Sequence, residues 1–118
     1  MYGLPKDFDA PSLIGLTLEM VCFNISQIYL HFDHHVMITV EGTLTYQSKL
    51  NGNVQKLSPP VVETNLMQLV GHKVTHAVGT PDGTLSLTFD NGHVVECLDD
   101  SPDYESYQIA IGGKTVVV

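Results

Sequence analysis

Two stretches of the chain, residues 13–42 and 69–100, resemble each other, and this pseudo-repeat constrains the fold more than any other feature. The first opens with Leu-Ile-Gly and the second with Leu-Val-Gly, and an apolar run in each leads into Phe-Asp. The extra residue of the second copy falls in the segment TPDG, where a turn tolerates it. Because two copies are too few for a solenoid, the similarity predicts a pseudo-symmetric sheet or sandwich.

Each copy is expected to fold into an antiparallel meander of three strands. Residues 28–32 and 84–89 alternate apolar and polar side chains, which is typical of a strand with one buried and one solvated face. The dipeptide Asn91-Gly92 between two apolar runs predicts a hairpin turn in the second copy. The internally duplicated meander is therefore predicted to form a sheet, a sandwich or a partly open barrel.

The remaining segments add strands and one helix to this prediction. Residues 43–48 and 54–57 are expected to form one hairpin, and residues 104–111 and 114–118 another. Apolar residues at helical spacing, followed by Gly71, predict one short helix near residues 60–70, with a shorter helical turn near residue 12. The sequence thus predicts a single mainly β domain, residues 1–118, with about eight to ten short strands.

The charge balance limits the classes of partner. Five Lys+Arg against thirteen Asp+Glu give a net charge of −8, so binding to nucleic acid or to an anionic membrane surface is not expected. No apolar run approaches the roughly 20 residues of a membrane helix, and the N-terminus lacks the order of a signal peptide. We therefore expect a soluble, cytoplasmic protein, with a protein partner or a small molecule left open.

Two cysteines, Cys22 and Cys97, each lie in an apolar, strand-like stretch. We expect both to be buried free thiols, although a disulfide stays open as an alternative. Neither belongs to a CxxC or Cys-His pattern, so the cysteines do not predict a zinc site.

Four neighbouring residues have the side chains of a metal site: His31, Asp33, His34 and His35. In the repeat, however, His34 and His35 take the places of Asn91 and Gly92, so we interpret them as exposed turn residues at positive φ. An adventitious nickel or zinc contact through these four residues is the alternative. We expect no native metal site and no cofactor.

No nucleophile elbow and no phosphate-binding glycine loop occur in the sequence, and an enzyme is therefore the less favoured class. We expect a non-enzymatic binding module of unknown partner, for example an immunity or inhibitor protein. The residues that could contact a basic partner are Glu96, Asp99, Asp100, Asp103 and Glu105.

The alternative is a small-ligand sequestering protein or an enzyme, with a pocket between the repeats or between subunits. The candidate lining residues are His72, His76, Tyr104 and Tyr107. The segments TVVV and TLTYQS are expected to form poorly guarded edge strands, which favours a symmetric homodimer.

The second copy and the C-terminal residues also resemble an uncharacterised family of small bacterial proteins, a domain of unknown function. The resemblance rests on the two Leu-[Ile/Val]-Gly openings, the FDNG hairpin, the segment DDSPDYESYQI and the Gly-rich C-terminal hairpin. It extends over residues 13–118, and His34-His35 departs from the family's Asp-Gly turn. The resemblance implies a fold and a bacterial or phage origin, and it transfers no catalytic residue.

Overall fold

The computed structural model describes residues 3–48, 52–101 and 105–118, which form a β-sandwich. The ten strands are β1 Leu18–Phe23, β2 Ile28–Phe32, β3 Met37–Val40, β4 Leu44–Gln47, β5 Val54–Leu57, β6 Val74–Gly79, β7 Leu85–Phe89, β8 Val94–Cys97, β9 Tyr107–Ile111 and β10 Lys114–Val117. The predictions of a mainly β fold and of eight to ten strands are confirmed.

The strands form two five-stranded antiparallel sheets, in the orders β1-β2-β3-β9-β10 and β5-β4-β8-β7-β6. The edges are therefore β1 and β10 in the first sheet, and β5 and β6 in the second. The segment TLTYQS was predicted to lie at an edge, and this was wrong, because β4 pairs with both β5 and β8. The C-terminal segment does form an edge strand, β10.

The two meanders, β1–β3 and β6–β8, have the same strand order and the same irregularity. A bulge lies between Leu18 and Met20 in β1, and between Val74 and His76 in β6. The hairpin that follows each meander pairs with the other meander: β4 joins β8, and β9 joins β3. Each sheet therefore contains one meander and the hairpin of the opposite half.

Reciprocal backbone hydrogen bonds join the two halves where β1 and β6 begin. Gly15 donates its N–H to the carbonyl of Val74 at 2.8 Å, and Gly71 donates to the carbonyl of Leu18 at 2.7 Å. Both glycines have positive φ, 92° and 91°, a conformation that costs glycine nothing. The Leu-[Ile/Val]-Gly opening of each repeat thus forms the joint between the halves.

The core lies between the sheets and takes the alternate, inward-facing side chains of the strands. Phe32 and Phe89, which occupy the same place in the two copies, stack with ring centroids 6.5 Å apart and planes at 10°. Leu30 and Leu87, also equivalent, are completely buried. The apolar alternation that the sequence shows in each copy is therefore the burial pattern of both sheets.

The predicted helix near residues 60–70 is wrong as an α-helix, since only Leu66–Leu69 forms a 3-10 turn. Its counterpart is the 3-10 turn Ala10–Leu13, which confirms the shorter helical turn expected near residue 12. Gln55 of β5 accepts hydrogen bonds from Asn65 and Thr64, so the upstream residues follow β5 in a non-helical conformation. Leu66 and Leu69, three residues apart in the 3-10 turn, are both buried, but Val62, which the predicted helix included, is 95% exposed.

Both predicted hairpin turns are confirmed, although they differ in backbone conformation. His34 and His35 both have positive φ, 59° and 60°, and form the turn between β2 and β3. In the equivalent turn between β7 and β8 only Gly92 has positive φ, 84°, and its N–H bonds to the carbonyl of Phe89 at 2.8 Å. The two copies therefore use turns of equal length but of different type, because Asn91 keeps negative φ.

Candidate functional site

A groove runs between the end of β1 and the segment that leads into the second 3-10 turn. It has a volume of about 340 Å³ and is lined by Phe23, Val61, Val62, Glu63, Thr64 and Met67. We call it the β1 groove. Its floor and walls are mainly apolar, although it is open to solvent.

The apolar side chains of the β1 groove are exposed to an unusual degree. Phe23 is 37% exposed, Met67 52% and Val62 95%. Local structure accounts for this arrangement: the 3-10 turn buries Leu66 and Leu69, so Met67 between them points outward. Ile25, in the turn after β1, is also an exposed apolar residue, whereas Met20 lines the separate cleft that contains His31.

The other half of the sandwich provides an internal comparison, because an equivalent groove lies beside β6. This β6 groove, of about 640 Å³, is lined by residues of the N-terminal segment and by the end of β6. The positions of Phe23, Val62 and Met67 in the β1 groove are held by Gly79, Lys6 and Pro11 in the β6 groove.

This comparison shows which residue types the fold accepts at the groove positions. The chain itself covers part of the β6 groove, since a Cβ at Gly79 would lie 2.4 Å from Cδ2 of Leu4. The same fold is therefore compatible with polar or small residues at these positions. At two positions of the β1 groove, those of Val62 and Phe23, the other groove has Lys6 and Gly79, and contiguous exposed apolar surface marks interaction sites.

The charges around the β1 groove are acidic. The lining of the groove contains Glu63 and neither lysine nor arginine, and Glu19 lies farther back along β1, in the cleft that contains His31. Both carboxylates belong to exposed residues. A partner with a basic rim would therefore meet a complementary potential here.

The acidic segment that sequence analysis selected is partly internal. Asp99 accepts hydrogen bonds from the backbone N–H of Gly3 and from the hydroxyl of Ser106, both at 3.0 Å. A Cβ at Gly83 would lie 2.5 Å from Oδ2 of Asp99, so this carboxylate also packs on the turn before β7. Asp99 thus joins the N-terminal segment, the turn before β7 and Ser106 near the start of β9, a structural role that the sequence pattern did not indicate.

The other acidic candidates are dispersed. Glu96 accepts a long hydrogen bond, 3.4 Å, from Thr45 on the neighbouring strand. Asp100 is exposed and Glu105 is half-buried, while Asp103 lies outside the described residues. Their role in contacting a partner stays a prediction.

The histidines and tyrosines of the alternative pocket do not converge on one groove in the described part of the chain. His72 bonds to Asp90 through Nδ1 at 2.6 Å, and His76 contacts the hydroxyl of its neighbour Thr75. Tyr107 is fully buried on β9. Tyr104 lies outside the described residues.

The hydroxyl of Tyr107 has an internal role. It donates a 2.6 Å hydrogen bond to the carbonyl of Gly83, which joins the first sheet to the turn before β7. Burial raises the pKa of this phenol, and the nearby ionisable groups of Cys97, Asp99 and Asp82, which are negative only when deprotonated, raise it further. Tyr107 is therefore a protonated donor at neutral pH.

A buried polar cluster at β4 and β8 was missed by sequence analysis. The Tyr46 hydroxyl lies 2.6 Å from Nδ1 of His93 and 3.3 Å from Oε1 of Gln68, and burial raises the Tyr46 pKa. Nε2 of His93 lies 3.4 Å from the hydroxyl of Ser48. In the first copy, buried Val36 occupies the place of His93, so only one half contains this cluster.

The metal alternative finds no support in the geometry. Among the described residues, no three His, Cys, Asp or Glu side chains come together as a metal ion would require. His31, Asp33, His34 and His35 line a shallow cleft of about 420 Å³. Nδ1 of His34 lies 3.3 Å from Asp33, whose pKa is lowered first by the backbone N–H of Thr17.

These observations define a small two-sheet β protein whose halves exchange hairpins and whose described surface has an apolar, acidic-rimmed groove at one sheet edge. A family model described as a family of unknown function, DUF6188, matches residues 10–118, and the chain belongs to that family. The resemblance to an uncharacterised family is therefore confirmed. Comparisons with curated proteins and with solved structures gave no match.

In the part of the chain that the structure describes, no helix is long and apolar enough to span a bilayer.

Proposed function

We propose that this chain is a non-enzymatic protein-binding module, and that the β1 groove receives an apolar part of a basic partner. The observation that carries the proposal is the contrast between the β1 groove and the β6 groove. The fold accepts Lys6 and Gly79 where the β1 groove has Val62 and Phe23, so the apolar surface has a role outside folding. A module of this kind would act by occupying its partner, as immunity and inhibitor proteins do.

The protein's charge supports a basic partner. Its net charge of −8 raises the association rate with a positively charged protein, and the same charge opposes binding to nucleic acid or to an anionic membrane. Glu63 places part of this charge beside the groove. Asp100 and Glu105 are candidates for additional contacts.

The test uses the full chain as bait in an extract of its native host, with three versions compared. The groove variant Val62→Lys/Met67→Lys adds two positive charges to the β1 groove. The control Val54→Lys/Val78→Lys adds the same charge at exposed apolar residues of β5 and β6. We expect the wild type and the control to retain a partner that the groove variant loses.

The proposal fails if the groove variant retains the same partners as the wild type. It also fails if the control loses them equally, since net charge alone would then explain the loss. Circular dichroism of the three versions checks that each is folded, which we expect because all four positions are exposed.

We prefer this function to the ligand-binding alternative for a structural reason. None of the described grooves is lined by His72, His76 or Tyr107, which were to form the pocket between the repeats. The large groove beside β6 is lined instead by the N-terminal segment and has no convergent ionisable pair.

We also propose a reducing, cytoplasmic location and a bacterial origin. Cys22 and Cys97 are both free thiols, which suits a compartment that keeps cysteines reduced. A homodimer through the β10 edge is the corresponding proposal for assembly. Light scattering tests it, because a particle of 12.9 kDa would be a monomer.

A further inference from the structure

The β1 edge has backbone groups that are free to accept another strand. Asn24 donates its N–H to Gln27 at 3.1 Å, and the register pairs Cys22 with Tyr29 and Val21 with Leu30. Bonded and non-bonded pairs alternate along an antiparallel ladder, so the N–H and C=O of Val21 and Phe23 point away from β2. Among the described residues, no backbone group pairs with them.

The start of β1 is closed, which limits where a strand could add. The N–H of Leu18 bonds to the carbonyl of His72 at 3.0 Å, and the carbonyl of Leu18 accepts from Gly71 at 2.7 Å. The open part of the edge is therefore the end of β1, and the β1 groove lies along this part.

Side-chain directions indicate what kind of strand would fit. Val21 and Phe23 lie opposite buried Leu30 and Ile28, so they occupy the inner face of their sheet. Inner-face side chains of an added strand would meet the apolar groove, and the outer-face side chains would lie in solvent near Glu19. Residues two apart share a face, so the complementary segment alternates apolar and basic residues.

We propose that the partner binds by strand addition, with an extended segment of alternating apolar and Lys/Arg residues pairing with β1 at Val21 and Phe23. This inference rests on the proposed function and specifies its geometry. In strand addition, main-chain hydrogen bonds supply affinity and alternate side chains supply specificity. The equivalent β6 edge is less open, because Leu4 of the same chain lies against Gly79.

The first experiment uses an acetylated octapeptide of alternating valine and lysine as the probe, with a threonine–glutamate octapeptide as its control. Amide hydrogen exchange of the full chain is followed with each. We expect the valine–lysine peptide to slow exchange at Val21 and Phe23 by at least tenfold, and the control peptide to leave both unchanged. Unchanged exchange at saturating probe, or slowing only at other edges, would overturn strand addition.

The second experiment uses proline to remove one outward N–H. Val21→Pro deletes a donor on the open edge, where an edge strand accommodates proline. Ala77→Pro is the matched control, because Ala77 holds the same position on β6. Val21→Pro should weaken probe binding about tenfold, the loss expected for roughly one net hydrogen bond with its neighbours, while Ala77→Pro should bind normally.

The two proposals fail in different ways. If Val21→Pro binds like the wild type and exchange at Val21 and Phe23 is unaffected, strand addition is wrong, whatever the groove variant does. If the host partner is still lost in Val62→Lys/Met67→Lys, the groove remains the binding site and the proposed function stands. Should Val21→Pro be unfolded by circular dichroism, the exchange experiment decides the question on the unchanged chain.

Discussion

Single residues in this protein are placed so that buried polar groups have partners. No buried side-chain nitrogen or oxygen in the described part of the chain is without a hydrogen bond. His93 bonds to Tyr46, Tyr107 bonds to the Gly83 carbonyl, and Ser106 bonds to Asp99. Because an unpaired buried polar group costs about 1–3 kcal/mol, these pairs decide which substitutions the interior tolerates.

The first prediction concerns thiol reactivity. Burial, followed by the nearby Glu96 charge, raises the pKa of Cys97 to about 12, and this residue is completely buried, whereas Cys22 is only half-buried. Our expectation that both thiols are buried is therefore correct for Cys97 only. Iodoacetamide at pH 8 should modify Cys22 slowly in the native protein and Cys97 only after unfolding, as peptide mass spectrometry would show. Modification of Cys97 at the Cys22 rate without denaturant would contradict the structure.

The second prediction concerns acid stability. The hydrogen bond from His72, aided by the Lys73 N–H, lowers the pKa of Asp90 in the folded state. A lowered folded pKa stabilises the protein above the unfolded value of about 3.9, and this contribution is lost as pH falls through the lower folded value.

The substitution Asp90→Asn removes that contribution. The difference in the free energy of unfolding between wild type and variant should therefore be larger at pH 6 than at pH 3, measured by urea denaturation at both. His72→Asn removes the other partner of this hydrogen bond. In the His72→Asn background, the effect of Asp90→Asn should therefore depend less on pH. A pH-independent effect of Asp90→Asn would show that the carboxylate's charge is not involved.

At the scale of elements, the two equivalent hairpin turns have the same length but different backbone conformations. In the first hairpin His34 and His35 both have positive φ, whereas the second uses Gly92 alone. Non-glycine residues at positive φ are strained, and Asn-Gly is the favoured pair for a turn that needs two such residues. The turn residues of the first hairpin therefore destabilise it, and the pairing of β2 with β3 must compensate for this strain.

The third prediction follows from that strain. Replacing His34-His35 with Asn-Gly should leave the fold intact and should raise the free energy of unfolding by 0 to about 1 kcal/mol. The contact between His34 and Asp33 is lost, but the Thr17 N–H still bonds to Asp33, so little opposes the gain. Thermal unfolding with and without added Zn²⁺ would check both points. A zinc-dependent rise in Tm for the wild type only would indicate a metal site instead.

At the scale of the whole molecule, the exchange of hairpins makes the two halves depend on each other. β4–β5 completes the sheet of the second meander, and β9–β10 completes the sheet of the first. Neither sheet can form all of its strand pairs from one half of the chain. The molecule should therefore unfold as one cooperative unit, although its sequence contains two similar halves.

The fourth prediction tests this cooperativity with equivalent core residues. Leu30 of β2 and Leu87 of β7 are both completely buried, and truncation of a buried leucine costs about 2–5 kcal/mol. Leu30→Ala and Leu87→Ala should each lower a single transition, seen at the same midpoint by near- and far-ultraviolet circular dichroism. Two separate transitions in either variant would mean that the halves unfold independently.

The sequence by itself determined the strands, the hairpins and the correspondence of the two meanders. Residues 28–32 and 84–89 were predicted as strands because period-two alternation is local and is read directly from neighbouring residues. The helix near residues 60–70 failed for the opposite reason. Its apolar spacing was real, but hydrogen bonds from Thr64 and Asn65 to Gln55 of β5 outweighed a weak local helix propensity.

Only the tertiary structure decided which strands lie at the edges and where an open surface remains. The sequence gives no signal that β4 would pair with β8 rather than follow β3 at an edge, because pairing of distant strands depends on burial summed over the whole core. The β1 groove depends on the strand order, since it needs β1 at the edge of its sheet, beside the segment after β5. The repeat alone aligns Phe23 with Gly79, but Val62 and Lys6 lie outside it. Their equivalence follows from the two 3-10 turns, which only the structure shows.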